Sequence, residues 1–125
     1  MNANDFEQYD GLIFDCDGTL ADSMPVHYVA WRDTLLRYRI DFPEDQFYSM
    51  GGMPSTKIVS HLSERQGVPV ADPAVVADEK DEMFHTLIHQ VQPKQNVCDI
   101  AAAFRGKKPM AVASGSGRVA VVKQL

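Results

Sequence analysis

The chain has 125 residues, and 12 Lys plus Arg against 17 Asp plus Glu leave a formal charge of −5. Its 45% apolar and 23% charged fractions are those of one globular domain, not of a disordered chain. An acidic chain without a Lys/Arg cluster does not suit nucleic acid or an anionic membrane face, and no apolar run approaches the roughly 18 residues of a membrane-spanning helix.

The first residues carry Asp5, Glu7 and Asp10 and no base, unlike the basic start of a signal peptide. Gly11 to Asp15 is a short apolar run ending in acid. Its lack of alternation predicts a strand buried on both faces of a parallel sheet. Asp22 or Ser23 caps a helix with Pro25 in its first turn and Val26, Val29, Ala30 and Leu36 on its apolar face. That helix fades near Ile40, ahead of Pro43. Ser55 to Gln66 is a second helix, with Ile58, Val59 and Leu62 inward and Gly67 as its stop. Asp72-Pro73 opens a third, running to about Gln90 before Pro93. Asn96 to Arg105 is a fourth, closed by Gly106. Pro109 to Ser114 reads as a second buried strand, and Arg118 to Leu125 begins a fifth helix.

Residues 1–21 and 91–125 thus carry two strands, and 22–90 form a helical insert. Two parallel strands do not make a stable sheet alone, so the pattern reads as the N-terminal part of a larger protein. Exposed apolar edges and self-association through the incomplete core are expected. Cys16 and Cys98 are too few for a disulfide scaffold and too isolated for a zinc site, which points to a cytoplasmic protein.

The chemistry is concentrated in Asp15-Cys16-Asp17-Gly18-Thr19, where the first strand runs out. Ligands of open α/β sheets bind outside the carboxyl ends of the strands. Alternation sends Asp15 and Asp17 to one side and Cys16 to the other, where it is buried and inert. Crowded carboxylates repel unless a cation sits between them, and the pair suits a nucleophile plus a general acid with Mg2+. Gly18 permits a tight turn that the Thr19 hydroxyl can hold. An EF-hand also begins D-x-D but needs Gly sixth and Glu twelfth; Leu20 and Val26 stand there.

The whole string, a hydrophobic strand followed by D-x-D-G-T-L, resembles motif I of the haloacid dehalogenase-like hydrolases. Asp22-Ser23, His27 and Ala30-Trp31 resemble the start of the helical cap in the beta-phosphoglucomutase-like branch. Gly51-Gly52-Met53-Pro54 resembles the cap's substrate-specificity loop. Ala113-Ser114-Gly115-Ser116 resembles motif II, whose hydroxyl and following amides hold the transferring phosphoryl group. The resemblance implies an α/β fold: a partial Rossmann-like core with an inserted α-helical cap. It implies that Asp15 attacks phosphorus and ligates Mg2+, and that Asp17 works as acid then base and offers its backbone carbonyl to the metal. Thr19, Ser114, Gly115 and Ser116 would bind phosphate.

Gly115-Ser116-Gly117-Arg118-Val119-Ala120 also fits a dinucleotide fingerprint, but that fingerprint needs an acid about 20 residues further on. The family's motif III lysine and motif IV acids have no counterpart after motif II, and Lys123 comes too soon. As written, the chain is expected to bind Mg2+ weakly and to turn over little or nothing.

In the cap, Trp31 suits core packing as well as ligand contact. His27, one turn earlier, is placed to face a cleft. Lys80 falls in the charged run Asp78–Glu82, where solvation is the default, yet the resemblance puts a substrate-reaching lysine near it. His61, His85 and His89 show no metal-ligand pattern and read as surface residues. Mutases of this branch carry an arginine where Ser55 stands, and a hydroxyl gives no charged, bidentate grip. The loop, with Gly52, Ser55 and Lys57, looks more like that of phosphatases acting on fructose-1-phosphate or 6-phosphogluconate. The expected partner is therefore a small phosphorylated sugar. Lys57 keeps a mutase as the second reading, and an inert fragment is the third.

Overall fold

A computed structural model describes residues 1–125. The apolar run at the start forms strand β1 (Leu12–Phe14), which pairs in parallel with β4 (Met110–Val112). Leu12 lies opposite Met110 and Phe14 opposite Val112. Leu12 N–H donates to Pro109 C=O and Ala113 N–H to Phe14 C=O, extending the ladder at both ends. The expected parallel pairing is therefore present. Burial of these strands on both faces is not: Ile13 is 75% exposed, and all of β4 is exposed. Helices packed on both faces bury a parallel sheet, and the Ile13 face of β1 and the residues of β4 lack that cover.

The chain divides into two compact units, Met1–Met24 with Gln90–Leu125, and Pro25–His89. In the first, β2 (Ala21–Asp22) and β3 (Gln92–Pro93) form a short antiparallel ribbon that no sequence pattern announced. Helix α5 (Gln95–Phe104) turns Val97, Ile100 and Phe104 inward at helical spacing. A single 3-10 turn, Ala3–Phe6, packs on α5, and Lys108 Nζ holds the following chain through the carbonyls of Glu7 and Tyr9. Helix α6 (Arg118–Gln124) follows β4.

The second unit is helical. Helix α1 (Met24–Leu36) is followed by α2 (Glu44–Ser49), α3 (Ser55–Gln66) and α4 (Pro73–Leu87), with α3 packed against α4. Leu35, not Leu36, turns inward; Leu36 is 58% exposed, because at 100° per residue it falls off the face set by Ala30, Trp31 and Thr34. Helix α2 went unread because Pro43 looked only like a stop, whereas it precedes the helix, with Glu44 and Asp45 in the first turn. Phe42 joins the core edge-on to Trp31, and Phe47 packs edge-on to Phe42. Gly67 ends α3 at φ +65°, where its N–H caps the last turn and a side chain would be strained. The Asp72 carboxylate caps α4 through the Ala74 amide, and α4 ends at Leu87 in a short 3-10 turn rather than at Gln90.

Ile13, Met110 and Val112 on the strands and Val119, Val122 and Leu125 on or beside α6 all stand exposed. Apolar surface of this kind on a sheet with open edges is expected to drive association. Light scattering should show a mean mass that rises with concentration and falls back when Ile13→Lys is introduced. A constant monomer mass for the unmodified chain at high concentration would contradict this.

Candidate active site

Strand β1 ends at Phe14, so the alternation expected through Asp17 gives way to a loop. That loop closes on one atom: the amides of Thr19, Leu20 and Ala21 all donate to the Cys16 carbonyl. Gly18, at φ +77°, lets the chain reverse and donates its own N–H to Ala21 C=O. The turn is thus held by backbone bonds rather than by the Thr19 hydroxyl, and Thr19 is half-buried at its rim.

The loop sorts its side chains. Asp15 is exposed, and its Oδ1 accepts from the Cys16 amide at 2.8 Å. Cys16 is fully buried; burial first, then the neighbouring Asp17 and Asp15 charges, push its thiol pKa up. A thiol so placed stays protonated and inert, as its position in the string suggested.

Asp17 is fixed from two sides. Ser23 Oγ donates to Oδ1 and Ser116 Oγ donates to Oδ2, both at 2.6 Å. Both are short bonds, and together they lock the rotation of the carboxyl group. Ser116 comes from the motif after β4, 99 residues away, so the parallel pairing of β1 and β4 brings the two motifs to one place. Ser114 Oγ accepts from the Ser116 amide, which shapes the loop Ser114-Gly115-Ser116. Ser114 is half-buried and Gly115 exposed. A cleft of about 340 Å³ between β4 and α6 is lined by Ser114, Ser116, Arg118 and aliphatic side chains.

The helical unit gathers a second set. Lys80 is only 5% exposed, and its Nζ lies 2.9 Å from His27 Nδ1 and 3.5 Å from Asp81. The two nitrogens are within hydrogen-bond distance of each other. Nζ also sits about 5 Å over the faces of Trp31 and Phe84, and His27 stacks on Phe84 at 3.8 Å. Solvation of the charged run therefore fails for Lys80. Trp31 is buried in this cluster and in the core at once. Gly52, Ser55 and Lys57 lie together at the start of α3; Gly52 and Lys57 are exposed and Ser55 half-buried. Of the other histidines, His61 and His89 are exposed, but His85 is half-buried with Nδ1 shielded and unpaired.

Two features went unread. Ser23 was legible as a helix cap, not as the fully buried partner of Asp17. Burial of Lys80 had a signal: Val76, Ala77, Lys80 and Phe84 form one helical stripe.

The sequence profile of the haloacid dehalogenase-like hydrolases matches residues 9–125, with the paired motifs inside that span. The chain belongs to this family. It is 36% identical over 112 residues to fructose-1-phosphate phosphatase YqaB of Escherichia coli K12, which covers 89% of this chain and 58% of the relative. A hydrolase from Pseudomonas syringae superposes with a TM-score of 0.76 at 20% identity, over 93% of this chain and 56% of that one. A beta-phosphoglucomutase from Clostridium difficile superposes with a TM-score of 0.74 at 19% identity, over 94% of this chain and 56% of that one. At those identities the two structures show a shared fold. The chain spans about half the length of the curated relatives it matches. No helix of this member of the family is long and apolar enough to cross a membrane.

Proposed function

We propose that this chain carries the nucleophile and the general acid–base of a Mg2+-dependent phosphatase acting on a small phosphorylated sugar. The observation that carries the reading is the carboxylate of Asp17, pinned by Ser23 and Ser116 two residues from an exposed Asp15. The 36% identity to a protein named as a fructose-1-phosphate phosphatase supports the substrate class.

The mechanism follows from the two carboxylates. An Asp15 oxygen attacks phosphorus while the bond from phosphorus to the sugar oxygen breaks, and Asp17 gives its proton to that oxygen. Water then attacks the aspartyl phosphate and gives a proton back to Asp17. The bond from phosphorus to Asp15 breaks, and inorganic phosphate leaves. Ser23 and Ser116 keep Asp17 in one rotamer, so it meets first the leaving oxygen and then the water without searching.

The donor set suits Mg2+. Both acids are hard oxygen ligands, and no third His, Cys, Asp or Glu joins them in a cage. Mg2+ is commonly held by one or two carboxylates plus substrate phosphate and water, so Asp15 and Asp17 would hold it here. When bound, it supplies screening of the carboxylate pair and polarisation of the phosphoryl oxygens.

Phosphatase is favoured over mutase by Ser55. A mutase must keep a bisphosphate intermediate bound while it turns over, and a hydroxyl at the loop lacks the planar fork of an arginine. Lys57, exposed nearby, is a flexible point charge. A chimera in which the unmatched part of the Escherichia coli relative follows Leu125 provides the test. It should release phosphate from fructose-1-phosphate with negligible interconversion of glucose-1-phosphate and glucose-6-phosphate. Ser55→Arg should move the balance toward transfer. Isomerisation by the unmodified chimera at rates comparable with phosphate release would refute the phosphatase reading.

A further inference from the structure

Residues 1–8 lie ahead of the span that the family profile matches, yet they are folded and tied down. Asn2 Oδ1 accepts from the Asn4 amide and Asp5 Oδ2 from the Asn2 amide, both at 2.9 Å, so the 3-10 turn Ala3–Phe6 is capped by its own side chains. The chain after that turn is held by one distant side chain: Lys108 Nζ donates to the carbonyls of Glu7 and Tyr9. Lys108 is itself fixed. Gly106, at φ +75°, lets the chain reverse after α5, and the Lys107 and Lys108 amides both donate to Phe104 C=O. Lys108 Nζ then lies 5.3 Å over the ring of Phe104, which is buried. The ammonium is anchored to the packed interior of this unit on one side and to the N-terminal arm on the other.

The arm meets the candidate site through a cavity. Phe6 of the arm, Leu12 and Phe14 of β1, and Val97 and Ile100 of α5 share the lining of an apolar space of about 210 Å³. Asp15 and Thr19 border the same space. Walls of an unfilled cavity lack contacts on one side, so their positions depend on what braces them from outside. Strand β1 is held by ladder bonds on its β4 side alone. We propose that the N-terminal arm is a strap that braces the Asp15 strand across this cavity, and that Lys108 is the positioning residue that keeps the strap closed. Its effect on turnover rests on the phosphatase reading, whereas the strap itself is a property of the fold.

Amide hydrogen exchange of the 125-residue chain reads the strap without substrate. Lys108→Met keeps an unbranched stem for Phe104 and removes both bonds to the arm, so exchange over residues 3–9 should rise about 10- to 100-fold. Exchange over residues 12–21, where the Thr19, Leu20 and Ala21 amides are bonded, should rise with it. Protection of α3, in the other unit, should stay unchanged. Lys108→Arg, which still donates to carbonyls, should recover part of the loss. Leu12 N–H donates to Pro109 C=O, next to Lys108, so Phe6→Ala supplies an independent route that leaves that region untouched. It too should raise exchange over 12–21. In the chimera, Lys108→Met should lower kcat about 10-fold with KM little changed, because a misplaced Asp15 oxygen impairs attack and not capture of substrate. If the unmodified chimera shows no turnover, the phosphatase reading fails, while raised exchange over 12–21 still supports the strap. Exchange over 12–21 that is unchanged in both variants, or a kcat equal to that of the active unmodified chimera, would overturn the inference.

Discussion

Asp15→Asn is expected to reduce phosphate release by the chimera to the uncatalysed background. The carboxylate is exposed just past the end of β1, with Oδ1 engaged by the Cys16 amide, and the proposed attack uses Oδ2. An amide is isosteric and keeps an acceptor oxygen for Cys16, so the loop that closes on the Cys16 carbonyl should survive. What is lost is the anionic oxygen that attacks phosphorus and one of the two hard donors for Mg2+. Thermal unfolding should change little, while turnover of fructose-1-phosphate vanishes. Residual turnover above a tenth of the unmodified rate would mean that another group is the nucleophile.

Asp17→Asn should act on both half-reactions. Acid–base assistance contributes about 10²–10⁴-fold, and the same side chain serves leaving group and water in turn. The variant should therefore lose rate in sugar release and in hydrolysis of the aspartyl phosphate alike. A structural cost accompanies it. Ser23 and Ser116 both donate to the carboxylate, and opposite an amide nitrogen one hydroxyl must accept instead, which leaves its own proton in need of a new partner. Ser23 is fully buried and cannot turn to water, so some stability should go with the activity. Single-turnover kinetics separates the two: a folding defect lowers the amplitude, whereas a missing acid–base group lowers the rate at full amplitude. A variant with unchanged rates in both steps would remove Asp17 from the mechanism.

Much of this was legible from residue order. The apolar run before Asp15 and its partner before Ser114 gave the parallel pair, because a short unalternating run bounded by turn residues has few other folds. Gly67 and the Asp72-Pro73 pair marked helix ends by conformational need alone. What stayed hidden depended on contacts distant in sequence. Ser116 reaches Asp17 across 99 residues, and Ser23 is aimed at the same carboxylate by the loop that closes on Cys16. The exposed strand faces were not legible because face burial depends on which helices pack there, whereas the pattern in β1 reports only what the strand prefers. Arg118 was read within a glycine motif; its place in the cleft emerges only when α6 folds back beside β4. Lys80 shows the reverse case: its helical stripe was present in the sequence, but the neighbouring acids masked it.

In the proposed reaction Asp15 becomes covalently phosphorylated. The most direct measurement is mass spectrometry of the chimera, quenched in acid during turnover of fructose-1-phosphate with Mg2+ present and then digested. An acid-stable, base-labile phosphate adduct is expected on the peptide that contains Asp15, and none in Asp15→Asn. Rapid phosphate release with no adduct at any time point, or an adduct on another residue, would contradict it.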